Sequence, residues 1–244
     1  MHWFGLTDSE YWLQLGQVIF YEYTDEVLRH WEVQDFKCVD YQAIRLIEDL
    51  TSIFDSLVEP IPDDFYEIAR NHTSLYEFYG KSKQWLDKLS DDPSIDIDTY
   101  YDKYDQVIEW IYSRTLSAMH LTYGPNITFF RNKDNLSIVW DASHETDENI
   151  SVWTAQTGKF EMKYIDFVNE VEDFGKGFFS VMQRQVEIAV EKDWGTVDLN
   201  KTQLIEEQQE RKIKFQESVS LLKNRPNKNT NWDMVRSLIS EMNF

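Results

Sequence analysis

The sequence predicts an α+β protein, with an antiparallel sheet built from an N-terminal hairpin and a central meander and covered by helices. Three observations carry this. Residues 119–164 alternate apolar and polar side chains with a period of two, broken by Gly-, Pro- and Asn-rich turns, as strands do. Residues 40–57 and 165–191 repeat apolar side chains every three or four positions, as one-sided helices do. Between Tyr11 and Tyr23, two β-rich runs flank Gly16-Gln17, a two-residue hairpin loop.

In chain order, the first stretch is Trp3–Tyr23, WFGLTDSEYWLQLGQVIFYEY, which is dense in aromatic residues. Its Thr7-Asp8-Ser9 run supplies turn chemistry, with Asp8 expected to cap the turn and Glu10 to lie on the surface. Thr24-Asp25-Glu26 starts a short helix that runs through Trp31, with acids in its first turn. Asp40 is the expected N-cap of the clearest helix, 40–57. That helix turns Leu46, Ile47, Leu50 and Phe54 inward. Arg45, Glu48, Asp49 and Asp55 lie on its solvated side, where Arg45 can pair with Glu48 and Asp49. Pro60 and Pro62 end it.

Residues 63–90 give one or two helices, 90–94 a loop, and 97–116 another helix. The expected strands are Met119–Tyr123, Ile127–Arg131, Leu136–Trp140, Ser151–Ala155 and Lys159–Tyr164, four of them forming a meander. Ile165–Glu191 is a long helix. Gly175 and Gly177 within it cost about 1 kcal/mol each against Ala, which predicts a close packing contact or a break there. Helices over Leu199–Leu222 and Asp233–Met242, the latter capped by Asn231, complete the chain around a 225–229 loop. The connections are of ordinary length, so residues 1–244 read as a single domain.

The net charge of −20 is uneven: residues 1–197 hold 16 basic and 37 acidic side chains, and residues 198–244 hold 8 and 7. Such a field repels nucleic acid and anionic membranes and attracts basic partners. No apolar run reaches the ~20 residues of a membrane span. The first residues lack the basic start and apolar run of a signal peptide, so the expected location is cytoplasmic.

Motifs for chemistry are sparse. The single cysteine, Cys38, rules out an internal disulfide framework and reads as inert. The five histidines show no helical metal-site spacing, and no phosphate loop, dinucleotide fingerprint or nucleophile elbow is present. The acidic loop with Asp141, Glu145, Asp147 and Glu148 lacks the spacing of a calcium loop. No cofactor and no metal is therefore expected.

The blocks WFGLTDSEYW, VDYQAIRLIEDL, VNEVEDFGKGFFSVMQR and LNKTQLIEEQQER resemble, in the same order, a bacterial family of unknown function. Its members open with Trp-Phe-Gly-Leu-Thr-Asp-Gly-x-Tyr-Trp. Ser9 stands where that motif has Gly. The resemblance implies a bacterial cytosolic protein and brings no activity with it.

Two functions follow as expectations. The first is a non-enzymatic, immunity-like acidic binding protein that neutralises a basic protein partner. Its binding residues would come from Asp8, Glu10, Tyr11, Trp12, Arg45, Glu48, Asp49 and Asp55, with none catalytic. The alternative is a small-molecule-binding protein or carboxylate-dependent hydrolase with a pocket near Asp8, Tyr11 and Trp12, and Asp49 or Asp141 close by.

Overall fold

A computed structural model describes residues 2–90, 96–116, 118–196, 199–225 and 230–242. The predicted loops over 91–94 and 226–229 lie outside the described residues. The fold is α+β, with antiparallel sheets packed among helices. Among the described residues, no helix is long and apolar enough to cross a membrane.

A single 3-10 turn at Trp3–Leu6 leads into β1 (Asp8–Tyr11), β2 (Leu13–Leu15) and β3 (Val18–Phe20). The β2–β3 hairpin turns through Gly16, at φ +61°, as its loop residues predict. Helix α1 (Asp25–His30) starts where expected, because the Thr24 side chain accepts the Val27 amide. Strand β4 (Val39–Gln42) then precedes α2 (Ala43–Ser52) and α3 (Phe54–Leu57).

Asp40 is not a helix cap. It lies in β4, which pairs antiparallel with β1, setting Asp8 opposite Gln42 and Glu10 opposite Asp40. Helical spacing extended the helix backward, but β1 offers this segment a ladder partner that spacing cannot reveal. The helix itself starts at Ala43, whose amide bonds to the Thr7 carbonyl.

Helices α4 (Asp63–Ile68), α5 (His72–Ser90) and α6 (Ile97–Tyr112) follow, then a four-stranded meander. Its strands are β5 (Thr115–Leu116), β6 (Asn126–Asn132), β7 (Asn135–Asp141) and β8 (Thr157–Lys163), in that spatial order. Residues 119–123 form turns rather than a strand, held by Leu121 and Gly124 amides on the Ala118 and Leu121 carbonyls. The outer strand is instead β5, at the end of a segment read as helix. Residues 151–155 make only isolated bridges, from Ser151 to Glu145 and from Trp153 to Tyr23.

Helices α7 (Tyr164–Glu191), α8 (Lys201–Asn224) and α9 (Trp232–Glu241) close the chain, with Asn231 capping α9 through the Met234 amide. At the α7–α8 contact a Cβ on Gly175 would lie 1.9 Å from the Phe215 ring, while one on Gly177 would meet nothing within 4 Å. The expected close contact therefore belongs to Gly175.

The hairpin and meander do not share one sheet; the strands fall into β1–β4, β2–β3 and β5–β8 sheets. The hairpin lies against the meander by side chains, with the Phe20 ring edge-on to Trp140 at 5.1 Å. Because side chains alternate along a strand, β6 and β7 serve two cores. Ile127, Phe129, Leu136, Ile138 and Trp140 join the core of the hairpin, α2, α3, α7 and α8. Phe130 and Val139 face the second core, with Phe65, Phe78, Trp110, Ile111 and Val235. At its margin Arg114 lies buried with Glu59, which also accepts from Thr230 and Trp232. Burial pushes the Arg114 guanidinium down to about 10 against the opposing Glu59 charge.

Candidate functional site

The β1–β4 ladder places Asp8, Glu10 and Tyr11 of the eight predicted binding residues, and its period of two sorts them. Asp8, Glu10 and Asp40 project from one face and are exposed. Ser9, Tyr11, Val39 and Tyr41 project from the other. Trp12 follows the strand and keeps 53% of its surface exposed. Among the described residues no amide donates to Asp8, because it starts a strand instead of capping a turn. The turn is closed by the Thr7 hydroxyl on the Phe4 carbonyl, at 2.7 Å. Glu10 has local partners: one carboxylate oxygen accepts the Lys37 and Cys38 amides at 3.0 and 2.8 Å. Burial, then the Glu10 and Glu22 charges, push the Cys38 thiol up and keep it unreactive.

Behind the ladder, three side chains from distant segments line up. The Tyr11 hydroxyl lies 2.9 Å from His120 Nε2, and His120 Nδ1 lies 3.1 Å from Asp49 Oδ2. Tyr41 stacks on the imidazole at 5.2 Å between centroids. Burial, reinforced by the Asp49 charge, raises the Tyr11 phenol above its ordinary range, so it stays protonated. The Tyr11 hydroxyl and His120 Nε2 share one hydrogen bond, whose direction is set by the imidazole tautomer. His120 Nδ1 and Asp49 Oδ2 stand within ion-pair distance but out of hydrogen-bond alignment, so this buried carboxylate oxygen has no hydrogen-bond partner among the described residues. His120 is the member of this line that sequence reasoning did not single out. It sits 109 positions from Tyr11, with no local spacing signal to link them.

The remaining predicted residues go elsewhere. Arg45 pairs with Glu48 at 3.1 Å, as spacing allows, and not with Asp49. Glu48 also takes Arg211 of α8 at 2.7 Å. The Arg211 guanidinium in turn lies over the Trp3 and Phe4 rings. Glu48 thus ties α2 to α8 and the N-terminal turn, where an open acidic face was expected. Asp55 is exposed on α3. Asp141 lies on the opposite face of the meander from Trp140 and the hairpin, paired with His72 at 3.1 Å. There a cleft of about 440 Å³ opens between α5, α6 and the sheet, lined by His72, Tyr79, Tyr104, Tyr112 and Asp141 among others. Among the described residues, no group of three or more His, Cys, Asp or Glu side chains is placed to hold a metal ion.

Fold and site together define an acidic α+β protein with an aromatic- and carboxylate-bearing ladder backed by a Tyr–His–Asp line. Over residues 1–238 the chain matches the model of a Family of unknown function (DUF5984), and it belongs to that family. No curated protein and no solved structure matches it.

Proposed function

We propose that the protein is a non-enzymatic binding module, immunity-like in kind, whose β1–β4 ladder receives a basic protein partner. The observation that carries this reading is the outer face of that ladder. Asp8, Glu10 and Asp40 stand together in solvent on neighbouring strands, with Trp12 half exposed beside them. Carboxylates at this density steer a basic protein to the face, and a Trp at its edge supplies a desolvated anchor. The chain's −20 charge extends the same field. Glu48, Asp49 and Arg45 have internal partners and play no part in the contact.

The test is co-expression with a basic, nuclease-like product of a neighbouring gene, followed by association kinetics at low and high salt. The on-rate should fall at least about tenfold between 50 and 500 mM salt. Asp8→Lys with Asp40→Lys should abolish capture and leave the thermal melt unchanged. Absence of any protein partner, or a partner indifferent to the double variant, overturns the proposal.

A second reading, a small-molecule-binding protein or hydrolase, is favoured by the Tyr11–His120–Asp49 line, which brings a phenol, an imidazole and a carboxylate together at successive distances of 2.9 and 3.1 Å. Activated ester and phosphoester substrates test it. Turnover lost in both His120→Phe and Asp49→Asn supports this reading, and no turnover in the wild-type chain removes it.

A further inference from the structure

From the surface of α7 we infer that this helix pairs with its own copy in a second chain, antiparallel and centred on Val181. Two flanks of α7 are already occupied. Val168, Val171, Met182 and Val186 face the core, and Gly175 and Phe179 meet α8 at Phe215, beside the Glu172–Lys223 ion pair of 2.7 Å. The third flank carries Phe174, Val181 and Ile188, which remain 43, 46 and 59% exposed. They are spaced seven residues apart, and seven residues at 3.6 per turn return to within about 20° of the same side. Phe178, half-buried, fills the gap beside Phe174, at 6.3 Å between ring centroids. Such a row is the seam of a helix pair, and on a chain of net charge −20 it is the opposite of a solubilising surface.

The occupant follows from the symmetry of the row. Phe174 lies seven positions before Val181 and Ile188 seven after it. Exposed Glu170, on the same flank, lies eleven before, and exposed Lys192, the residue that caps the helix C-terminus, lies eleven after. An antiparallel copy therefore sets Val181 on the two-fold axis, Phe174 against the partner's Ile188, and Glu170 opposite the partner's Lys192. Both charged pairs then attract. A parallel copy would set like charges together at both ends, which costs energy. Lys192 is held at its end of the row, with its ammonium over the Trp194 ring at 4.4 Å. Self-complementarity of this kind is what an isologous two-fold interface requires, and a foreign helix has no reason to share it.

Sedimentation equilibrium of the full chain tests the pairing. The wild-type protein should dimerise at tens of micromolar. Val181→Glu should weaken the dimer at least about tenfold without lowering the thermal melt read at high dilution, where both chains are monomers, because the residue is exposed. Glu170→Lys should weaken it too, and adding Lys192→Glu should restore it. Cross-linking reads the direction. Val181→Cys should oxidise to a covalent dimer, while Phe174→Cys should not, because its copy lies about 21 Å away along the pair. The wild-type chain, whose one cysteine is the buried Cys38, is the control. A monomer at all concentrations, a dimer indifferent to Val181→Glu, or self-cross-linking of Phe174→Cys each overturns the inference.

Discussion

Leu50 and Asp55 lie five residues apart and differ in what surrounds them: Leu50 is buried in the first core, and Asp55 is exposed on α3. Leu50→Ala should cost about 2–5 kcal/mol, since it leaves a cavity that the close-packed core fills only in part. Asp55→Ala should change stability by less than about 0.5 kcal/mol. Denaturant melts of the two variants check the pair, and equal losses would contradict the assignment of faces. Spacing made the inward set legible: Leu46, Ile47, Leu50 and Phe54 are all buried as expected. It could not show that Glu48 would be claimed by Arg211, because that partner arrives from a helix 163 residues later. Separation in sequence likewise hid His120 from Tyr11 and Asp49. Local pattern reports which way a side chain points, whereas its partner is chosen by the tertiary fold.

At the scale of the element, long one-sided helices and locally capped ones were readable. The ends of α1 and α9 follow from Thr24 and Asn231, whose side chains meet amides three residues ahead. The short strands β4 and β5 were not readable, because four or two residues contain too little pattern to outweigh the helix beside them. The two glycines of α7 give a sharper test of what an element needs. Gly175→Ala places a methyl group against the Phe215 ring and should destabilise by about 1–3 kcal/mol, through overpacking. Gly177→Ala meets open space and should stabilise by up to about 1 kcal/mol, through helix propensity. Thermal melts of the two variants should therefore move in opposite directions.

For the whole molecule, acid sensitivity follows from carboxylates that gained partners on folding. Burial opposes ionisation of Asp141, but hydrogen bonds from Ser143 and His72 prevail and hold its carboxyl below the usual range. Its contribution is complete above the unfolded carboxylate value of about 3.9 and is lost as pH falls through the lower folded value. Asp141→Asn should accordingly melt lower than the wild-type chain at pH 6. The gap should narrow as pH drops below about 4, which melts from pH 6 to 2 will show. The fold class was legible because each layer has its own period. The division into three sheets was not, since side-chain packing of Phe20 on Trp140 joins hairpin to meander without a backbone ladder. The meander also stands as a wall common to both cores, with Phe129 facing one and Phe130 the other. Neither side can open to solvent without stripping the backing from its neighbour. Amide hydrogens of β6 and β7 should thus exchange with deuterium only through global opening. Those of Phe129 and Phe130 should report one shared free energy, where independent halves would report two.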